Sequence, residues 1–216
     1  MKLEKVNIYR ITHIENIPQI LNYGITNKKS KHKNPNYKAI GDTCIINTRN
    51  NKEINITNGG IETIKTIELG DYIPFYFGIK MPMLYVIQRG GNFVPRRTIP
   101  ENIVYVVCSV IKIHNFGYEY YFSDGHALNK LSTFYNRDKL IDLIGILDWN
   151  AIKKPYWQGE GNLDVKRKKQ AEFIVKEDLS PECIIGFGCY NERAKNNLKG
   201  LGVNEKIIRV IPNAYF

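Results

Sequence analysis

The sequence predicts an α+β protein built on a mixed or mostly antiparallel β-sheet. Strand-like stretches lie towards both ends of the 216-residue chain, and helix-like stretches lie mainly in its middle. Neither G-x-G-x-x-G after a strand nor G-x-x-x-x-G-K-[ST] occurs, so the two common nucleotide-binding fingerprints are missing. Because there is also no repeat, low-complexity linker or visible boundary, we predict a single domain over residues 1–216.

The first part of the chain predicts a strand, a helix and a loop. VNIYRITHI (6–14) has the β-branched and aromatic composition of a strand. The next helix is predicted to begin after Asn16, because this N-cap leaves Pro18 in the first turn, where proline is tolerated. Gly24 ends that helix. Residues 26–42 are polar and basic, and we expect them to form a loop.

The following segments give a weaker pattern. Residues 43–67 predict little regular structure, with a turn at Asn58-Gly59-Gly60. Residues 69–89 are dense in aromatic side chains, but two prolines, Pro74 and Pro82, exclude a regular central strand throughout. We expect this stretch to begin as a loop that lines a cleft and to become a strand or short helix at residues 83–88.

The second half alternates helix and strand patterns. Asp124 is a suitable N-cap for a helix that would extend to Tyr135, and a second helix is predicted over residues 140–147. A capped helix is predicted from Asn191 to Gly200. The predicted strands of this half are residues 102–113, AEFIV (171–175), CIIGFG (183–188) and KIIRVIP (206–212).

Composition restricts the classes of partner. The formal net charge is +10, and 14 tyrosines accompany the lysines and arginines. Basic and aromatic side chains together suit single-stranded nucleic acid better than a rigid duplex. No apolar run approaches the ~20 residues that span a bilayer, and the N-terminus has no signal-peptide pattern, so we expect a cytoplasmic protein without membrane contact. Scattered cysteines and histidines predict neither disulfides nor a metal site.

Five stretches occur in an order that resembles one family over nearly the whole chain. They are YRITHIENIPQILNYGI (9–25), GDYIPFYFGIKMPMLYVI (70–87), FSDGHA (122–127), LDWNAIKKPYW (147–157) and KRKKQAEFIV (166–175). Together they are similar to the DarT family of DNA ADP-ribosyltransferase toxins.

The resemblance implies the ADP-ribosyltransferase fold, in which a split mixed sheet with surrounding helices forms a cleft for NAD. It implies transfer of ADP-ribose from NAD, as substrate, onto a base of single-stranded DNA, for which we expect thymine. It also implies a macrodomain antitoxin of the DarG type as partner, and we expect a monomer that needs no metal.

The resemblance carries four residue roles. Glu172 in QAEFIV matches the catalytic glutamate, and Arg49 is the best match to the catalytic arginine. His13 in RITHI matches an NAD-contacting histidine, and His126 in DGHA falls in a motif near the active site. The family commonly has an arginine near Lys80, and lysine cannot reproduce the fork of an arginine.

The position of Glu172 fits that role. On the predicted strand, Glu172 and Ile174 point to one side, whereas Phe173 and Val175 point to the other. Breaking the nicotinamide–ribose bond develops positive charge on the sugar, which a fixed carboxylate stabilises. The same carboxylate could accept the proton that a thymine ring nitrogen must lose. A solvent-exposed glutamate on a strand is the alternative.

Further contacts are assigned by residue type. Aromatic walls suit the flat nicotinamide ring, and the predicted NAD contacts are Thr12, Gly24, Tyr72, Phe75, Tyr76 and Tyr85, with His13 and Arg49. Tyr76 is favoured because Pro74 breaks the local alternation. The predicted DNA contacts are His126, Lys80 and the basic run Lys166, Arg167, Lys168 and Lys169, for which a solvated face is an equal alternative.

Two other functions remain open from the sequence alone. The same fold could modify guanine or RNA, because acceptor loops vary freely within a fold. A basic nucleic-acid-binding module without catalysis would also fit the composition. It would not require the glutamate of QAEFIV or the histidine of RITHI.

Overall fold

The computed structural model describes residues 2–91, 94, 96–159, 162 and 164–216. Within them, ten strands form one mixed sheet in the order β10-β9-β5-β1-β4-β8-β6-β7-β2-β3. The strands are β1 (Asn7–His13), β2 (Glu53–Ile56), β3 (Lys65–Glu68), β4 (Tyr72–Tyr76), β5 (Ile103–Ser109), β6 (Tyr120–Ser123), β7 (Phe134–Tyr135), β8 (Glu172–Lys176), β9 (Ile184–Cys189) and β10 (Ile208–Val210). The predicted α+β class is confirmed.

Eight short α-helices surround the sheet in the described part of the chain. They are α1 (Ile17–Tyr23), α2 (Thr43–Asn50), α3 (Pro82–Arg89), α4 (Val110–Asn115), α5 (Leu143–Ile146), α6 (Trp149–Lys153), α7 (Val165–Lys169) and α8 (Glu192–Gly200). The bounds of α1 and α8 match the predicted caps, since Asn16 and Asn191 precede them. No helix in the described ranges is long and apolar enough to cross a membrane.

The sheet is split between β1 and β4. In the described residues these strands pair in register only at Tyr9 and Tyr76. Pro74 lies two residues before Tyr76 on β4. Its carbonyl accepts a hydrogen bond from the side chain of Arg10, through Nη1 at 3.0 Å, and not from a backbone N–H of β1. The amide nitrogen and carbonyl of a strand residue face the same neighbour, so the missing N–H of Pro74 also faces β1. The strands therefore separate at Pro74 and leave a cleft.

The prediction for residues 69–89 was partly wrong. Residues Tyr72–Tyr76 form a strand in the middle of the sheet, paired with β8 from Tyr72↔Lys176 to Tyr76↔Glu172. Pro74 is accommodated because only one side of β4 is paired at this position, with β8. The side that faces β1 is unpaired there and resembles the edge of a sheet. The cleft and the short helix at the end of this stretch are confirmed, since α3 begins at Pro82.

Three other element predictions need correction. Residues 43–67 contain α2 and the β2–β3 hairpin, although the turn at Asn58-Gly59-Gly60 is present. The strand predicted over 102–113 ends at Ser109, whose hydroxyl accepts from Lys112 N and caps α4. No helix follows Asp124, because its carboxylate accepts from Thr133 N and joins the ends of a loop. Phe134 and Tyr135 then pair with β6 as a strand.

The core lies on both faces of the sheet. The largest cluster includes Ile8, Phe75, Val106 and Phe173, all fully buried. Ile174, the residue after Phe173, belongs to a second cluster on the other face. This alternation is the one predicted for β8, and it puts Glu172 on the same face as Ile174.

Candidate active site

Two cavities meet at the split of the sheet. The larger has a volume of about 310 Å³ and lies between the end of β1, the loop after α1, α2 and the start of β4. The smaller, of about 150 Å³, reaches α3 and the loop after β6. The residues that line both are Arg10, Tyr37, Ile46, Arg49 and Pro74. A ligand in one cavity would therefore touch a ligand in the other near Arg49.

Glu172 lies behind this junction, at the first position of β8, and its side chain is fully buried. Its Oε2 accepts a hydrogen bond from Arg49 Nη1 at 2.8 Å. Its Oε1 accepts from the backbone N–H of Ala127 at 2.9 Å. The carboxylate is thus held from two directions on a rigid strand. A solvated surface glutamate, the alternative that the sequence left open, is excluded by this burial.

Arg49 reaches the site from the last turn of α2. The helix is capped by Asp42, whose carboxylate accepts from Ile45 N at 3.1 Å. Its C-terminal end approaches the start of β4 so closely that a Cβ on Gly70 would lie 2.3 Å from Asn50 O. Nη2 of Arg49 is buried and has no hydrogen-bond partner among the described residues. A buried guanidinium nitrogen without an acceptor indicates a ligand oxygen.

A short loop, residues 123–127, holds Glu172 from the other side. Ser123 Oγ accepts from Glu172 N at 3.3 Å and donates to Gly125 O at 2.6 Å. The loop is fixed by Arg167 of α7, whose carbonyl accepts from His126 N at 3.0 Å. Arg167 Nη1 donates to Asp124 Oδ1, also at 3.0 Å. The N–H that Ala127 offers to the carboxylate therefore depends on Arg167.

His126 lies at the smaller cavity, and so does Tyr76, which was predicted as an NAD contact but does not line the larger cavity. Tyr76 is paired with Glu172 across β4 and β8, and burial together with the charge of Glu172 raises its pKa. Burial lowers the pKa of His126, although the charge of Glu172 partly opposes this shift. Both side chains are therefore neutral at pH 7 and can hydrogen-bond without adding charge.

Three of the predicted cofactor contacts, Thr12, Gly24 and Tyr72, line the larger cavity. Gly24 has φ +76°, and a Cβ there would lie 1.9 Å from Leu179 O, so only glycine fits. The hydroxyl of Tyr72 donates to Glu119 at 2.9 Å, which fixes this ring in the wall. The basic side chains on this cavity, Arg10, Lys28, Lys33 and Arg49, suit an anionic ligand.

Three predicted cofactor contacts lie elsewhere. Phe75 is fully buried in the largest core cluster and lines neither cavity, so the geometry gives no support for its predicted role. Tyr85 is exposed on the outer side of α3. His13 is buried at the end of β1, where its Nδ1 accepts from Glu15 N at 3.2 Å. Burial lowers the pKa of His13, which keeps the ring neutral at pH 7.

The basic run at α7 is mostly engaged within the protein. Arg167 also pairs with Asp164, with Nε 2.6 Å from Oδ1, and Lys168 pairs with Asp148 at 3.3 Å. Lys169 is 1% exposed, and its Nζ donates to Ile152 O at 3.0 Å. Burial and the charge of Lys80 lower the pKa of Lys169 to about 8. Lys166, like Lys80, forms no ion pair within the described ranges.

Some functional positions were not found from the sequence. Arg10, Tyr37, Ser123 and Ala127 all take part in the site, but only Arg10 gave a signal, as a charge in the middle of an apolar strand. Ala127 acts through its backbone, which no side-chain pattern reveals. No group of three or more His, Cys, Asp or Glu side chains in the described part of the chain could hold a metal ion.

Known proteins share this architecture. The family model described as "DarT: ssDNA thymidine ADP-ribosyltransferase" matches residues 9–216. A DNA ADP-ribosyl transferase of Thermus sp. (strain 2.9) is 30% identical over 210 residues, which cover 96% of this chain and 88% of that protein. A structure of Thermus sp. 2.9 DarT in complex with ADP-ribosylated ssDNA superposes with a TM-score of 0.82 at 26% identity, and covers 99% of this chain and 97% of that chain.

A further relative is a fusion protein. The DNA ADP-ribosyl transferase–DNA ADP-ribosyl glycohydrolase fusion protein of Thermosipho africanus is 26% identical over 97% of this chain, and the match covers 48% of the fusion. In that protein a DNA ADP-ribosyl transferase and a DNA ADP-ribosyl glycohydrolase are joined in one polypeptide.

The fold and these relatives together identify the chain as an NAD-dependent DNA ADP-ribosyltransferase. The chain belongs to the DarT family of ssDNA thymidine ADP-ribosyltransferases. The resemblance predicted from the sequence is thereby confirmed at the level of family, fold and reaction.

Proposed function

We propose that Glu172 and Arg49 carry out the reaction of the family in this chain, with NAD in the larger cavity and thymine in the smaller. The observation that supports this most is the Arg49–Glu172 pair, 2.8 Å long, at the junction of the two cavities. No other ion pair of the described residues joins a fully buried carboxylate to a cleft.

The larger cavity fits the donor. NAD supplies the ADP-ribosyl group, and nicotinamide leaves as the bond to the base forms. Arg10, Lys28 and Lys33 on the cavity wall suit a pyrophosphate, and the free Nη2 of Arg49 suits a phosphate or ribose oxygen. Glu172 accepts a hydrogen bond from the nicotinamide ribose and stabilises the positive charge that develops there.

We keep the predicted donor contacts of Thr12, Gly24 and Tyr72, which line this cavity. His13 is kept as a neutral hydrogen-bonding group at the end of β1. The two nitrogens of its ring are distinct, and with Nδ1 engaged by Glu15 N, only Nε2 is left for NAD.

The smaller cavity fits the acceptor base. Tyr76 and His126 provide one aromatic and one imidazole ring, and Met83 and Ile87 provide an apolar wall. Glu172 takes the proton that the thymine ring nitrogen loses when the new bond forms. A neutral His126 orients the base by hydrogen bonding, without competing for that proton.

The DNA strand would approach over basic side chains beside the smaller cavity. Lys80 and Lys166 are free of carboxylate partners in the described residues and are retained as phosphate contacts. For Arg167 and Lys168, their ion pairs favour an internal role over direct contact with phosphate.

Partners follow from the relatives. The fusion of a DNA ADP-ribosyl transferase with a DNA ADP-ribosyl glycohydrolase in Thermosipho africanus supports a toxin–antitoxin pair. We infer that this chain is a single-domain, monomeric, metal-independent toxin, and that a macrodomain antitoxin of the DarG type reverses its product. Since NAD and single-stranded DNA are its substrates, we expect it to act in the cytoplasm.

The test is direct modification of oligonucleotides. Purified protein is incubated with NAD and a panel of single-stranded DNA and RNA, and products are measured by intact mass. We expect the mass of one ADP-ribosyl group on thymine-containing DNA, and its loss with Glu172→Gln. Modification of RNA or guanine alone would exclude the thymine assignment, and a fully active Glu172→Gln would exclude the catalytic role.

A further inference from the structure

The outer side of α3 carries an aromatic and basic surface that the site described above does not use. Met83 and Ile87, on one side of this helix, line the smaller cavity. Tyr85 and Arg89, four residues apart, lie together on the solvent side, and Tyr85 is 40% exposed. The same helix therefore connects the acceptor cavity to this outer surface.

Three rings form the centre of this surface. Tyr85, Trp157 and Phe216 pack edge to face in a triangle, with ring centroids 5.2 to 6.3 Å apart. Lys80 Nζ lies 5.1 Å from the ring centre of Phe216, and Arg89 lies 5.6 Å from that of Tyr85. Mutual packing holds the rings in fixed orientations. Tyr85 and Phe216 are exposed, and the buried Trp157 supports them from beneath, so the two exposed rings can meet a partner without further loss of side-chain entropy.

The charge of the surface is uniformly positive along this part of the chain. Residues 72–100 contain no aspartate or glutamate but include Lys80, Arg89, Arg96 and Arg97. None of these four cations forms an ion pair with a carboxylate in the described ranges. Elsewhere, basic side chains such as Lys65, Lys168 and Lys195 pair with carboxylates. Unpaired cations beside exposed rings suit a polyanion with flat groups.

A neighbouring segment extends the surface beyond α6. Lys153, Lys154 and Tyr156 are exposed there, and Tyr156 is 79% exposed. Ile152, just before them, packs so closely against the turn between β4 and α3 that a Cβ on Gly78 would lie 2.8 Å from it. The buried Lys169 holds the Ile152 carbonyl from behind. This segment therefore sits beside the aromatic triangle on a fixed support.

We propose that this surface, formed by Tyr85, Arg89, Tyr156 and Phe216 with Lys80 and supported by the buried Trp157, docks the nucleotides that flank the target base in single-stranded DNA. The proposal rests on the proposed function, because the target base must occupy the smaller cavity for its neighbours to reach α3. Bases of a single strand have free faces to stack on rings, whereas those of a duplex are already stacked. The cations meet the phosphates between them.

The test uses the full chain and a length series of single-stranded oligonucleotides that contain one target thymine. The variants are Tyr85→Ala and Arg89→Gln, alone and together, because both side chains are exposed and neither lines the larger or the smaller cavity of the site. We expect the double variant to raise the KM for a long oligonucleotide by roughly tenfold, with an unchanged KM for NAD. For the shortest oligonucleotide that is still modified, the double variant and the wild-type protein should have the same KM.

Two controls separate a local effect from a general one. Phe116→Ala and Arg193→Gln remove an exposed ring and an exposed cation elsewhere, and both should leave the KM for every oligonucleotide unchanged. Arg89→Gln alone should lower the dependence of log affinity on log salt by up to about 0.7, the value for one phosphate contact on a single strand. If Tyr85→Ala fails to fold, the salt dependence of Arg89→Gln alone still tests the proposal.

Binding measured by fluorescence anisotropy in a Glu172→Gln background keeps this proposal distinct from the proposed function. If nothing is modified by the wild-type protein but long oligonucleotides still need Tyr85 and Arg89 for binding, the docking surface stands and the reaction assignment fails. Equal affinity of the double variant and its parent for long oligonucleotides would overturn the docking proposal. Binding to vesicles of anionic lipid is measured in parallel. If the double variant loses affinity for these vesicles but not for oligonucleotides, the docking proposal is overturned in favour of a membrane surface.

Discussion

At the scale of single residues, the site depends on the buried carboxylate of Glu172, whose contacts serve both the stability of the fold and the proposed catalysis. Glu172 is held by Arg49 at one oxygen and by the Ala127 N–H at the other. A carboxylate in a low-dielectric site needs such partners, because an unpaired charge there is strongly unfavourable. The same two contacts fix its direction, so the requirement of folding and the requirement of catalysis fall on the same atoms.

Neutralising both Arg49 and Glu172 separates the contribution of their charges to stability from their contribution to turnover. We expect Glu172→Gln to lower turnover by at least about a hundredfold and also to lower the melting temperature, since Arg49 would lose its counter-charge. The double variant Arg49→Gln/Glu172→Gln should regain most of the melting temperature, because neither group is charged, and remain inactive. Turnover is measured by mass spectrometry and stability by thermal unfolding, for the wild type, Glu172→Gln, Arg49→Gln and the double variant, which together form a complete cycle. Recovery of activity in the double variant would contradict the assigned roles.

At the scale of elements, two local structures position Glu172 and Arg49, the proposed catalytic groups. The helix α2 carries Arg49 but contributes no buried residue of its own, so its position depends on close contact with the start of β4. The loop 123–127 carries Ala127 and is anchored by Arg167. Neither was predicted, because α2 lacks an apolar stripe and the loop has the sequence of a capped helix. Asp42 caps α2, whereas Asp124, which the sequence predicts as an N-cap, closes the loop by accepting from Thr133 N.

Gly70→Ala tests the packing of α2. The added methyl group would meet the carbonyl of Asn50, so the end of α2 and Arg49 should shift. We expect a loss of about 1–3 kcal/mol in the free energy of unfolding and a larger proportional loss of turnover. Gly145→Ala is the matched control, because a Cβ there meets nothing within 4 Å and alanine favours the helix α5. Unchanged turnover in Gly70→Ala would show that α2 tolerates the shift.

Arg167→Lys tests whether this arginine positions the loop or contacts DNA. Lysine keeps the charge but cannot bond Asp124 and Asp164 at once, so the Ala127 N–H should lose its fixed position. We expect kcat to fall by roughly tenfold, with the KM for DNA and its salt dependence unchanged. Arg209→Lys, on β10, removes a guanidinium that donates to the carbonyls of Lys206 and Ile208 far from the cleft, and should have no effect on kcat. A raised KM for DNA with normal kcat would instead support the DNA contact predicted from the sequence.

At the scale of the whole molecule, the split sheet decides where ligands can bind. One half consists of β10, β9, β5 and β1, and the other begins with β4 and β8. Pro74 faces the gap and cannot donate to β1, so the strands separate there and the cleft opens next to Glu172. On the far side of the second half, a cluster around Glu119 ties β3, β4, β6 and β8 together.

Glu119 makes the stability of this half depend on pH. Burial opposes its ionisation, but hydrogen bonds from Lys65, Lys176, Tyr72 and Tyr121 lower the pKa of Glu119 to about 2. Because the folded pKa lies below the unfolded value, this contribution is complete above pH ~4.5 and is lost as the pH falls towards 2. We expect Glu119→Gln to be less stable at pH 7 and to show a flatter loss of stability between pH 4.5 and 2. Denaturant unfolding at several pH values measures both, and parallel pH curves for the two proteins would contradict the role of Glu119.

The sequence by itself indicated the α+β class and most strands, because these depend on local composition and on the period of two along a strand. The five ordered stretches indicated the family, and the match of QAEFIV singled out Glu172 as the proposed catalytic residue. Only the tertiary structure decided that Arg49 faces Glu172, that Phe75 is core, and that Arg167 holds a loop. Arg49 and Glu172 are separated by 123 positions in the chain, and Arg167 and Asp124 by 43 positions. Such contacts are fixed by how whole elements pack, and a local pattern carries no information about them.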